Sequence, residues 1–158
     1  MFYTRFKTEL CEIILVADDS SLTNLYLNTG EGKKRFEIDP RWTRDDALFT
    51  DIVRQINEYI RGERTSFSVE LSPAGTEFQK KVWTELMKIP YGEIRSYKDI
   101  ALAIGNVNSS RAVGMANSKN PIPLIIPCHR VIGSSGKLTG YAHGVDFKKK
   151  LLDLEAHP

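Results

Sequence analysis

The 158-residue sequence predicts an α+β fold, in which a small N-terminal antiparallel sheet with one covering helix precedes a mainly helical C-terminal half. Three observations carry this expectation. Short alternating apolar runs crowd the first 30 residues, capped segments with helical periodicity fill the rest, and Ser72-Pro73-Ala74-Gly75 breaks the chain between the two patterns.

Residues 2–6, 12–17 and 22–28 alternate like half-buried strands, and Thr29-Gly30-Glu31-Gly32 supplies a turn signal after the third. From residue 45 to 61, Leu48, Ile52, Ile56 and Ile60 fall four apart on one helical face that can cover the sheet, and Gly62 can end that helix. Residues 67–71 alternate again, as one more strand or an extended linker. The expected division is residues 1–72 and 73–158.

In the second half, Thr76-Glu77-Phe78-Gln79 has capping-box spacing, and Phe78, Val82, Trp83, Leu86 and Met87 make a broad apolar face. Pro90-Tyr91-Gly92 ends this helix with a turn. Ser96 caps a short helix through Ile100 and Ile104 that Gly105 closes. After Asn106-Val107-Asn108 comes another short helix, at about residues 109–118. Such a pair reads as a helix-turn-helix of winged-helix-like type or as an ordinary helical hairpin. In Arg111-Ala112-Val113-Gly114-Met115-Ala116 small side chains surround one long Arg, which suits close approach to a DNA surface or tight helix packing. A last helix is expected from residue 145 to about 156, with Phe147, Leu151 and Leu154 on its apolar face and Glu155 at the edge.

Composition narrows the function classes. Hydrophobic residues make up 41% of the chain, and no apolar run approaches the roughly 20 residues that cross a bilayer. The N-terminus lacks a signal-peptide pattern, so a cytoplasmic protein is expected, with no membrane association. Two cysteines, Cys11 and Cys128, stand far apart without a Cys/His cluster, which argues against a disulfide framework or a metal site and leaves a thiol for chemistry. Residues 1–75 carry 10 basic against 13 acidic side chains, a net −3, and residues 76–158 carry 12 against 7, a net +5. The basic half suits a polyanion, although Lys148-Lys149-Lys150 could be a plain solvated cluster.

The chemistry concentrates in Leu124-Ile125-Ile126-Pro127-Cys128-His129-Arg130-Val131-Ile132-Gly133, a thiol just beyond an apolar strand-like run. The two basic residues after it favour its thiolate. Neighbouring side chains on a strand point to opposite faces, so coupling His129 to Cys128 needs a bridging water or a sharp turn. Glu155 is the candidate to orient His129. A carboxylate at a helix C-terminus opposes the macrodipole, so helix stability alone would not choose it.

Pro127-Cys128-His129-Arg130-Val131 resembles the active-site signature of the O6-alkylguanine-DNA alkyltransferases. Supporting matches are Tyr91-Gly92-Glu93, Ser96-Tyr97, Arg111-Ala112-Val113-Gly114, Asn120-Pro121, Gly140-Tyr141 and Leu151-Leu152 with Glu155. The resemblance is close over residues 76–156. For the first 75 residues it rests on size and element order, and implies a ribonuclease H-like domain. It implies a single-turnover repair protein that flips O6-alkylguanine, and O4-alkylthymine, from double-stranded DNA and moves the alkyl group onto its own Cys128. It further implies a monomer bound mainly through the minor groove, with no cofactor and no metal.

Residue by residue, the resemblance makes Cys128 the acceptor, His129 its base through water and Glu155 the group that orients His129. Asn120 ties the turn before the acceptor segment, and Tyr97 crowds the phosphate and donates a proton toward guanine N3. Arg111 fills the gap in the base stack, on a helix where Ala112 and Gly114 permit close approach. Lys98, Asn106 and Ser134 touch nearby DNA, while Val131, Tyr141 and Ala142 line the base pocket. His143 departs from the small residue common in the family and is expected to narrow the pocket entrance. Two other readings remain open to the residues themselves: a thiol hydrolase with a Cys128, His129 and Glu155 triad, and a non-catalytic lesion binder, against which the retained Cys128 argues.

Overall fold

The computed structural model describes residues 1–30, 36–138 and 141–156. Glu31 and Gly32 of the expected turn, and Gly140 of the family motif, lie outside the described residues. Strands β1 (Phe2–Lys7), β2 (Glu12–Ala17) and β3 (Leu22–Asn28) form the expected antiparallel meander. A two-residue strand β4 (Thr43–Arg44) adds in parallel beside β1, giving the order β3-β2-β1-β4. Residues 67–71 follow the other edge, where Leu22 N–H donates to Glu70 O and Ser72 N–H to Leu22 O, both at 2.9 Å. Both outer edges of the meander are thus partly covered, which limits pairing with other chains.

The helix after the sheet starts differently from its four-residue spacing. Asp46–Phe49 form a 3-10 turn capped by Asp45, and only Thr50–Ile60 are α-helical, as α1. A turn of three residues brings Phe49 rather than Leu48 above Ile52. Phe49 is buried and Leu48 is exposed, while Ile52, Ile56, Tyr59 and Ile60 face the core.

In the second half, α2 (Glu77–Met87) carries the full capping box: Gln79 N–H donates to Thr76 Oγ1 at 3.1 Å and Thr76 N–H to Gln79 Oε1 at 2.9 Å. Its buried face is narrower than the sequence suggests, since Val82, Trp83 and Leu86 are buried while Met87 is exposed. The Trp83 indole N–H donates to Ala116 O at 2.9 Å, fixing α2 against α4 (Ser110–Ser118). Between them lies α3 (Tyr97–Ala103), whose Ser96 and Asp99 form a second capping box. A two-stranded parallel ladder, β5 (Arg95–Ser96) with β6 (Val131–Ile132), ties the start of α3 to the segment after Cys128. The last helix, α5 (Val145–Ala156), packs on that segment.

Gly75 lies where a Cβ would stand 2.5 Å from the Trp83 ring. Because the indole is anchored by its hydrogen bond, it cannot retreat without loss. Gly75→Ala is expected to destabilise the fold by about 1–3 kcal/mol, read as a lower urea midpoint; an unchanged midpoint would refute this close contact.

Candidate active site and DNA-facing groove

The segment leading to Cys128 is a turn, not the strand-like run its composition suggests. Pro121, Pro123 and Pro127 remove three backbone donors, so the segment cannot complete a ladder. Asn120 replaces it with side-chain bonds: its amide donates to Ile126 O at 2.7 Å and its Oδ1 accepts from Ile122 N–H at 2.9 Å. Leu124 takes φ 78°, a conformation a bulky residue avoids at a cost on the order of 1–3 kcal/mol. Burial of its side chain offsets that cost. The chain thereby reverses and presents Cys128 as the first residue of a 3-10 turn, Cys128–Arg130.

That turn removes the strand alternation that separated Cys128 from His129. Cys128 is buried, with its carbonyl accepting from Asn117 Nδ2 at 3.3 Å. His129 is fully buried and its Nε2 lies 2.6 Å from Glu155 Oε2. Burial pushes the imidazole below its usual pKa, against the pull of Glu155, with Arg130 and Lys148 adding to the depression. A neutral ring that donates Nε2–H to the carboxylate keeps its lone pair on Nδ1. Among the described residues that Nδ1 makes no hydrogen bond, nor does the buried Tyr141 hydroxyl.

Glu155 is not at the edge of its helix face but buried at the centre of the site. Oε2 accepts from His129, from the Tyr59 hydroxyl at 2.6 Å and from Arg130 Nη2 at 3.0 Å. Oε1 accepts from Arg130 Nε at 2.8 Å and Gly92 N–H at 3.4 Å. Burial would raise its pKa, but the bonds from His129, Arg130 and Tyr59 outweigh that and hold the carboxyl far below its usual range. Arg130 is fixed at its other end by Ile89 O, 2.7 Å from Nη1.

Several of these residues escaped the sequence reading. Local sequence marks Arg130 only as a charge near the thiol. Tyr59 lies three residues beyond Ile56, on the buried stripe of α1, and a buried hydroxyl there needs a partner. Lys148 belongs to no solvated cluster: it is fully buried on the face of Phe147 and Leu151, and its Nζ donates to Val131 O. Burial lowers its pKa to about 8.

An open groove of about 770 Å³ beside α3 and α4 gathers Tyr97, Lys98, Arg111, Gly114 and Ser134 of the expected DNA-facing set. Met115, 63% exposed and one turn beyond Arg111, joins them without having been anticipated. Asn106 and Ala112 are exposed but do not line the groove. Burial raises the pKa of the half-buried Tyr97, and the charge of Cys128 adds to it, so the phenol keeps its proton. Val131 and Tyr141 are buried and Ala142 half-buried. His143 packs edge-on to Tyr141 at 5.4 Å, and its carbonyl accepts from Thr29 of the first half at 2.9 Å.

Two family models match the chain: the ribonuclease-like domain of 6-O-methylguanine DNA methyltransferase over residues 1–73, and its DNA binding domain over residues 77–157. A methylated-DNA–protein-cysteine methyltransferase of Methanosarcina acetivorans is 50% identical over 155 residues, covering 98% of both chains. The corresponding protein of Mycobacterium tuberculosis H37Rv is 47% identical over 155 residues, 97% of this chain and 91% of that one. The crystal structure of Mycobacterium tuberculosis OGT in complex with DNA superposes with a TM-score of 0.90 at 47% identity, covering 99% of this chain and 93% of that one. A Methanococcus jannaschii O6-methylguanine DNA methyltransferase structure, 28% identical, gives a TM-score of 0.70 over 98% of this chain and 94% of that one. With both halves matched and identity near one half along almost its whole length, the chain belongs to the 6-O-methylguanine DNA methyltransferase family.

Proposed function

We propose that the protein repairs DNA by moving the alkyl group of O6-alkylguanine, and of O4-alkylthymine, irreversibly onto Cys128. The observation that carries this reading is the join between a buried thiol turn and a neutral histidine held by a buried carboxylate, next to a groove lined by Arg111 and Tyr97. His129 Nδ1 takes the thiol proton through a water, and Cys128 Sγ attacks the alkyl carbon. The carbon–O6 bond breaks with its electron pair going to the guanine, toward whose N3 Tyr97 donates a proton. A thioether remains on Cys128, which water does not readily cleave, so one molecule repairs one lesion.

The alkyl carbon is out of reach in a stacked duplex, and flipping the nucleotide costs a few kcal/mol. In this reading α3 and α4 act as a helix-turn-helix laid in the minor groove, with Gly114 allowing close approach and Arg111 filling the stack. Lys98, Asn106 and Ser134 contact the backbone nearby, Ala112 faces the DNA, and Val131, Tyr141, Ala142 and His143 surround the flipped base. Asn120 holds the turn that presents the thiol. The reading has a monomer act in the cytoplasm without a cofactor or metal, and divides the chain at residues 72 and 73.

Intact-mass measurement after incubation with O6-methylguanine duplex DNA tests it. One methyl per protein on Cys128 is expected, with product stopping at one equivalent. Continued turnover would instead support a thiol hydrolase, and a folded protein that gains no methyl sinks the reading. Arg111→Ala is expected to slow repair of duplex DNA by about tenfold or more, from the few kcal/mol of base extrusion. Transfer from the free base O6-methylguanine should change less; equal losses would reject the stack-filling role.

A further inference from the structure

Glu155 is held not only by the segment around it but by a residue from the other half of the molecule. Tyr59 is fully buried on α1, its ring tilted on Phe67 at 5.4 Å and edge-on to Tyr91 at 6.1 Å. Its hydroxyl donates to Glu155 Oε2 at 2.6 Å, the same oxygen that bonds His129. We propose that Tyr59 is a positioning residue of the alkyl-transfer site, delivered by the first domain to fix the Glu155 carboxylate through which His129 is oriented. The inference rests on the alkyl-transfer reading above.

The chemical consequence follows from charge sharing on one carboxylate. Each donor to Glu155 withdraws negative charge from the oxygen facing His129, and a less basic carboxylate stabilises the imidazolium less. Tyr59 therefore keeps His129 neutral and its Nδ1 ready to accept a proton. Among the described residues, the groups that bear on this pair are Tyr59 from α1, Tyr91 and Gly92 from the turn after α2, Arg130 from the 3-10 turn and Lys148 from α5. Among these described groups only Tyr59 comes from the first domain, so that domain would be part of the chemical site rather than a separate scaffold.

The test is the pH profile of single-turnover methyl transfer from O6-methylguanine duplex DNA by the full-length protein, wild type against Tyr59→Phe. Phe keeps the ring contacts and removes only the hydroxyl. The midpoint of the acid limb should move up by about half to one pH unit, part of the roughly one to two units that a hydrogen bond to a charged group is worth, because the effect reaches His129 only through Glu155. That shift reads as a rate about 3- to 10-fold lower on the acid limb, with a smaller loss toward the alkaline plateau. Coincident midpoints would overturn the proposal, as a packing role would not move them. Methylation of wild-type Cys128 in the same experiment tests the underlying reading separately. If Tyr59→Phe does not fold, proton NMR of the wild type decides: a slowly exchanging Tyr59 hydroxyl proton with a cross-relaxation peak to the His129 Nε2–H is expected, and a freely exchanging one overturns the assignment.

Discussion

Cys128→Ala is expected to abolish methyl uptake completely while the protein still folds and still binds DNA. Among the described residues of the buried site the thiol is the only soft nucleophile, and the His129 imidazole is committed to Glu155 at one nitrogen. Removing Sγ takes away one buried heavy atom, and small deletions in a core cost about 1 kcal/mol, well within the stability of a domain this size. The asparagine bonds that shape the acceptor turn reach backbone atoms and survive the change. Intact mass and equilibrium binding to lesion-bearing duplex check the two halves of the expectation. A methyl group appearing on the variant would place the acceptor elsewhere.

The second large effect is expected at Glu155. Glu155→Gln replaces an acceptor of five donors with an amide, and it leaves Arg130 buried without its counter-charge. Breaking one side of a buried pair costs on the order of 3–5 kcal/mol. His129 loses its orientation as well, and misplacing a general base removes about 10²-fold or more in rate. Urea unfolding and single-turnover kinetics measure the two losses. A variant with wild-type stability would mean that the carboxylate is not the keystone of this network.

The same network fixes the sign of the pH dependence. A Glu155 carboxyl held below its usual range contributes stability above the unfolded value of about 4.3, which is lost as pH falls below it. Burial also depresses His129, so below about 6.5 the unfolded chain takes up a proton that the folded one refuses. Both effects make wild-type stability fall on acidification from neutral pH. In Glu155→Gln the carboxylate part of that fall should vanish, leaving a shallower slope near pH 4, read from urea midpoints across pH.

Local rules were enough wherever the chain announced itself within a few residues. The meander strands, the capping box at Thr76, the cap at Ser96, the turn at Pro90-Tyr91-Gly92 and the last helix, Val145–Ala156, all follow from short-range pattern, because alternation, caps and positive φ are set by neighbours. The Cys128-His129-Arg130 motif and its likeness to a known family were equally legible. Two expectations fail for different local reasons. The four-residue spacing puts Leu48 on the buried face and apolar composition makes the run before Cys128 strand-like, yet a 3-10 start rotates the first face and three prolines deny the second its ladder.

What remained invisible depended on groups distant in sequence. Tyr59 and Glu155 lie 96 residues apart, and Arg130 and Ile89 lie 41 apart. Nothing in either neighbourhood names its partner. Lys148 looked like one of three solvated lysines until helix phase and packing turned it inward to Val131. The sequence by itself determined which side chains are able to carry chemistry, since thiol, imidazole and carboxylate are properties of side chains. Only the tertiary structure decided how they act on one another, because desolvation and hydrogen bonding arise when distant segments exclude water together.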